Sequence, residues 1–148
     1  MAYRRLFIMR RDLHMSSGKL AAQVAHCAEA YWTHLIRSGV TNRQWMEDCS
    51  DITSTLHISG DIYDQYINGS FVKTICEAKS RGHLLKAKSI AQELGLVEDR
   101  DFGLIRDNCL TELEPEEEDG RTLTGIWFAP LPDDVAHRIS KKYQLYKG

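Results

Sequence analysis

Close pairs of cysteines are missing from this chain: Cys27, Cys49, Cys76 and Cys109 are scattered, with no Cys-x-x-Cys. A zinc site needs paired ligands and a small secreted scaffold needs dense cysteine, so free thiols in a reducing compartment are expected. His14, His34, His57, His83 and His137 show no metal-ligand spacing, and the acidic run at 116–119 lacks the patterned ligands of a calcium loop. No glycine-rich phosphate loop occurs. Proline is scarce, with three residues, and no repeat is visible, which argues against disorder and arrays. Long hydrophobic runs are absent as well. The apolar stretch at 6–9 is closed at once by Arg10 and Arg11, too soon for a secretory or membrane segment. These absences leave a soluble cytoplasmic protein without membrane attachment, and 148 residues suit a single domain with one substantial core.

Net charge is −2, at first sight unfavourable for a nucleic-acid partner. The acids are unevenly placed, however. Glu112, Glu114, Glu116, Glu117, Glu118 and Asp119 supply six of the 21, leaving 15 acids against 19 bases elsewhere. Much of that positive surplus lies in Arg4, Arg5, Arg10, Arg11 and Lys19, and in Lys141, Lys142 and Lys147. A phosphate-bearing partner is therefore permitted. If one binds, Arg4, Arg10, Arg11 and Lys19 should share a face with some of Lys79, Arg81, Lys86 and Lys88, and the acids of 112–119 should point elsewhere.

Residues 6–9 are continuously apolar, as in a strand buried on both faces. Ser17 is placed to cap a helix over 18–37, whose Leu20, Val24, Cys27, Ala28, Tyr31 and Leu35 recur at three- and four-residue spacing. Ala21, Ala22 and Ala25 are small enough to let it lie close on a sheet. Short helices are expected over 42–48 around Trp45 and over 61–67, before Asn68-Gly69. Further strands are expected at 71–76, 102–106 and 122–129, with helices over 81–94 and 132–143. Strands alternating with helices imply an α/β fold, a three-layer α/β/α sandwich. Because no helix joins 102–106 to 122–129, its sheet of roughly four strands should be mixed.

Two segments carry residues suited to chemistry. At the start of the first helix, free backbone N–H groups and the positive dipole end lie beside Lys19, an arrangement that can hold a phosphate or a developing oxyanion. Lys19, Gln23 and His26 fall on one stripe next to the apolar one. A solvated helix flank gives the same pattern. Asp107 lies just beyond a strand end, with Thr111 four residues on and Thr122 and Thr124 on the following strand. An aspartate there is also an ordinary turn-former. Cys109 with His26 as nucleophile and base is a weaker pairing, because no local cysteine-hydrolase signature surrounds it.

Taken in order, the two segments resemble the type 2 peptidyl-tRNA hydrolases. Met9-Arg10-Arg11-Asp12-Leu13-His14-Met15-Ser16-Ser17-Gly18-Lys19-Leu20-Ala21-Ala22-Gln23-Val24-Ala25-His26-Cys27-Ala28 is similar to the N-terminal signature of that family. It consists of a buried strand, an Arg and Asp, Gly-Lys-hydrophobic-Ala-Ala-Gln, and a His three residues later. The second signature, Ile-Arg-Asp-Ala-Gly-x-Thr with a Thr-x-Thr soon after, reads here Ile105-Arg106-Asp107-Asn108-Cys109-Leu110-Thr111 and Thr122-Leu123-Thr124. Asn108-Cys109 in place of Ala-Gly, fewer lysines before Gly18 and the acidic insert make this a divergent member.

The resemblance implies an enzyme that hydrolyses the ester of peptidyl-tRNA without metal or cofactor. Lys19, Asp107 and Thr111 would occupy the catalytic positions, and Gly18, Gln23, His26, Thr122 and Thr124 would line the substrate site. A homodimer would be in keeping with the family. Two other readings stay open at this point: an inactive nucleotide- or protein-binding module of the same fold, and a small-molecule ester hydrolase.

Overall fold

The apolar run forms the central strand, β1 (Tyr3–Arg10), and its alternation divides the hydrophobic residues between two clusters. A computed structural model describes residues 1–41 and 51–148; the helix expected around Trp45 lies outside them. Leu6 and Ile8 join one cluster, Phe7 and Met9 the other. Successive side chains of a strand point to opposite faces, so β1 serves both.

The first helix, α1 (Ser17–Ser38), packs on the Phe7 and Met9 cluster through Leu20, Val24, Cys27, Ala28, Tyr31 and Leu35, the stripe its periodicity predicts. Burying each large apolar side chain stabilises the fold by about 1.5–3 kcal/mol. Ser16 caps the helix rather than Ser17, its hydroxyl accepting from the Lys19 amide. Ala21, Ala22 and Ala25 are not buried against the sheet; they are exposed. At 100° per residue they lie about 120° or more around the helix from buried Cys27, and Ala21 and Ala25 line an open groove beside Phe7 and Ile75.

Across the sheet, α2 (Arg81–Glu93) and α3 (Asp133–Ser140) cover the cluster built from Leu6, Ile8, Leu84, Phe102, Ile126 and Ile139. Ser80 caps α2 through the His83 amide. The α3 helix ends sooner than its periodicity suggests. Tyr143 lies beyond it, donating its hydroxyl hydrogen to the His83 carbonyl (2.6 Å) and stacking on the His83 ring. The helix expected over 61–67 is a wide π-helical segment, Ile62–Ser70, broken at Gly69.

The sheet is mixed and open, with strand order β3 (Phe102–Asp107), β4 (Thr122–Phe128), β1, β2 (Val72–Ala78), β6 (Gln144–Leu145). β2 runs parallel to β1, whereas β4 is antiparallel both to β1 and to β3. The described residues form six strands rather than four, because two-residue pieces add to the ladder: β5 (Leu131–Pro132) on β1 and β6 on β2. The β3–β4 ladder slips between Ile105 and Arg106: Ile105 faces Gly125 and Arg106 faces Leu123, leaving Thr124 as an extra residue. No helix among the described residues is long and apolar enough to cross a membrane.

Candidate functional site

Three elements converge where β3 ends. Capping by Ser16 fixes the first turn of α1 and aims Lys19 across the end of the sheet, where β3 delivers Asp107 and the following loop delivers Thr111. The Lys19 ammonium donates to Asp107 Oδ1 at 2.8 Å and to Thr111 Oγ1 at 3.1 Å. Both charged side chains are mostly enclosed, at 12% exposure each. Burial alone raises the Asp107 pKa. The Lys19 ammonium, the Cys109 amide and the Gln23 side chain outweigh it, and the net result lies below the ordinary carboxylate value. Asp107 is therefore ionised at neutral pH.

Behind this cluster the polar groups are buried and matched. Gln23 is 1% exposed; its Nε2 donates to Asp107 Oδ1 at 3.2 Å and its Oε1 accepts from Thr124 at 2.7 Å. Thr122, also fully buried, donates to the Glu114 carbonyl (2.6 Å) and accepts from the Glu116 amide (3.1 Å). The hydroxyls of Thr122 and Thr124 thus face protein groups. Gly18 is exposed at the start of α1, with open space above its Cα.

Lys19, Gln23, Asp107 and Thr111 form one hydrogen-bonded cluster; His26, expected to converge with them, lies outside it. It is exposed two turns further along the same helix stripe, where it lines an adjacent depression of about 560 Å³ with His34, Arg37, Ile105, Arg106 and Trp127. Nor does Cys109 sit with His26 as a nucleophile–base pair, because its thiol faces the Asp107 carbonyl and Thr122 Oγ1. Cys109 adopts φ +59°, the left-handed conformation that the glycine of the resembled signature would supply without strain. Its amide donates to Asp107 Oδ2 at 2.9 Å, closing a turn on the carboxylate. Cys27, Cys76 and Cys109 are free thiols, and burial pushes that of Cys27 up to about 12. Among the described residues no group of three or more His, Cys, Asp or Glu side chains is placed to hold a metal ion.

The acidic insert does not face away from the bases; it folds against them. Arg10 is buried, pairing with Asp12 (2.7 Å) and Glu116 (2.5 Å) and donating to the Leu123 carbonyl. Glu117 pairs with Arg106 (3.0 Å) and Arg81 (3.2 Å). Arg4 and Arg11 are matched by Asp133 and Glu77, and buried Arg5 donates to the carbonyls of Phe128, Cys27 and Ala28. Of the basic residues counted in the sequence, Arg4, Arg10, Arg11 and Lys19 are thus each paired with a carboxylate. Glu112 is the residue that the sequence pattern concealed. Its carboxylate accepts from the Ser16 amide (2.9 Å) and hydroxyl (2.6 Å), a partnership across 96 positions with no local signal.

Known proteins resemble the chain over nearly its whole length. The chain is 28% identical to a peptidyl-tRNA hydrolase of Thermococcus sibiricus over 143 residues, 97% of each chain. Relatives of the same name from Thermoplasma acidophilum (26%) and Methanopyrus kandleri (27%) are matched over 98% of this chain and 99% of theirs. The family model described as Peptidyl-tRNA hydrolase PTH2 matches residues 3–146, so the chain belongs to the PTH2 family of peptidyl-tRNA hydrolases.

Proposed function

We propose that this chain hydrolyses the ester joining a peptide to the terminal ribose of tRNA, with Lys19, Asp107 and Thr111 as its catalytic residues. One observation carries the assignment of residues: a single ammonium, Lys19, is held between Asp107, mostly enclosed like itself, and the exposed Thr111. Ester hydrolysis requires a water positioned on the carbonyl carbon and a positive group opposite the oxyanion that forms. Lys19 supplies the charge. Thr111 accepts from Lys19, which leaves its own hydroxyl hydrogen free to donate to water or to the carbonyl oxygen.

Asp107 is a weak base, because its carboxylate already accepts three hydrogen bonds and its pKa is depressed. Its part is to orient the water and hold Lys19 in place. The water oxygen bonds to the carbonyl carbon, the carbon–ribose oxygen bond breaks, and the proton lost by the water ends on the departing ribose oxygen. Gln23, Thr122 and Thr124 support the cluster from behind; Gly18 and His26 border the open side. The ester is already activated, so these groups suffice for the reaction without a metal.

The decisive assay is release of free tRNA from an N-blocked aminoacyl-tRNA: activity in the wild type that is lost in Lys19→Ala supports the reading, and an inactive wild type refutes it. The substrate arises in translation, which supports a cytoplasmic location. Assembly as a homodimer, in keeping with the family, is checked by light scattering.

A further inference from the structure

Thr111 is exposed, and the loop that carries it has no regular secondary structure between Asp107 and Thr122. Leu110 on one side is open to solvent, whereas Leu113 on the other is buried. Something must therefore register this stretch against α1, or the Thr111 hydroxyl would not stay within 3.1 Å of Lys19. The adjacent residue does so. Glu112 grips Ser16 twice, one carboxylate oxygen taking the amide and the other the hydroxyl. The same Ser16 hydroxyl oxygen accepts from the Lys19 amide at 3.2 Å. Residue 111 thus holds the Lys19 ammonium directly, and residue 112 holds its backbone through Ser16.

We infer that Glu112 is a positioning residue for ester hydrolysis, setting the Thr111 loop on the α1 cap so that Lys19 and Thr111 meet the reacting carbonyl together. This rests on the hydrolase reading above. The Ser16 contacts also hold the Glu112 carboxyl below its ordinary pKa, so the grip is present throughout the neutral range. Displacement of a catalytic group by about 1 Å can reduce turnover by about a hundredfold, and a loop anchored on both sides should move by less.

The test compares Glu112→Ala, Glu112→Gln and Ser16→Ala on an N-blocked aminoacyl-tRNA, with circular dichroism and thermal melts to confirm folding. Glu112→Ala should lower kcat about tenfold or more without raising KM, because no substrate contact is lost and one negative charge is removed near a polyanion. Glu112→Gln keeps a carbonyl oxygen for one of the two Ser16 bonds and should recover most of kcat. Ser16→Ala removes one Glu112 bond and also the cap to the Lys19 amide, so it should lower kcat too. The losses in the double variant Ser16→Ala/Glu112→Ala should be less than multiplicative, since the two changes share one linkage.

Wild-type kcat in a folded Glu112→Ala overturns the inference, as does a loss expressed wholly in KM. The Thr111 methyl resonance reads the same displacement without substrate: it should shift and broaden in Glu112→Ala and return in Glu112→Gln. An unchanged resonance overturns the inference as well. A wild type that releases no tRNA refutes the hydrolase reading alone, and the resonance then still decides whether Glu112 places Thr111.

Discussion

Removing either member of the Lys19–Asp107 pair should separate its stability role from its chemical one. At 2.8 Å and an effective dielectric near 20, the attraction between the two charges is about 6 kcal/mol before desolvation is counted. Enclosure makes that desolvation substantial, so the net contribution is far smaller. Lys19→Ala leaves the carboxylate with Gln23 and Cys109 as donors, and we expect a stability loss of about 1–3 kcal/mol. That corresponds to a fall in Tm of about 3 °C per kcal/mol for a chain of this size. Asp107→Asn keeps the shape, but its amide has to direct NH2 at either the Cys109 N–H or the Lys19 ammonium, so a similar loss follows.

Activity should respond far more strongly. Loss of a preorganised charge at a developing oxyanion lowers turnover by about 10²–10³. Both single variants should therefore fold and release tRNA at least about a hundredfold more slowly. The double variant Lys19→Ala/Asp107→Asn should be little worse than either, because the residues act as one unit. Single-turnover release from N-blocked aminoacyl-tRNA, with a thermal melt of each variant, supplies both numbers. A folded Lys19→Ala that keeps activity within about threefold of wild type would refute the mechanism.

Other consequences follow from the same contacts. The Asp107 pKa is depressed, so its contribution to stability is present above the unfolded value near 3.8 and lost as pH falls through the lower folded value; the pH profile of kcat should show no inflection from Asp107 between about pH 4 and 6. Cys109→Gly and Cys109→Ala both remove the thiol but differ in tolerance of φ +59°, so chemical denaturation should find the glycine variant more stable by about 1 kcal/mol. In Gly103→Ala the new methyl would lie 2.5 Å from the buried Trp127 indole nitrogen, and a loss of about 1–3 kcal/mol should appear in denaturant melts. Glu117→Gln removes the charge partner of Arg106 and Arg81, and the log–log salt dependence of tRNA binding should steepen by about 0.9 for each cation recruited to a phosphate.

Periodic features were readable from residues alone. The α1 stripe through Cys27 and Tyr31 and the buried run of β1 declare themselves because 3.6- and 2-residue repeats are local properties. The residues brought to Lys19 were readable only through two signatures taken together, since nothing local joins position 19 to 107. What escaped was decided at a distance. Ser16 and Ser17 are equivalent caps by type, and Glu112, 96 positions away, holds the first of them. β5 and β6 are two-residue strands that exist only because β1 runs past β4 at Tyr3 and Arg4 and β2 has an open edge. The acidic run reads as a solvated loop, yet Glu116 and Glu117 are drawn to arginines that their own folding brings near. Asn108-Cys109 gave no sign of which residue would take the left-handed turn.

The slip in the β3–β4 ladder acts as a change of parity within β4. Ile126 and Phe128 belong to the core beneath α2 and α3, and strict alternation would send Thr124 there too, with Leu123 turned toward α1. The one extra residue reverses that count: Leu123 joins the α2 and α3 core, and Thr124 turns to meet Gln23 behind Asp107. One strand thereby serves an apolar core and a polar site in two different phases. Deleting a single residue at the slip would exchange the two, burying a hydroxyl among hydrocarbon and taking away the hydroxyl that orients Gln23. Chain length at that point is as strict a requirement of the site as any side chain in it.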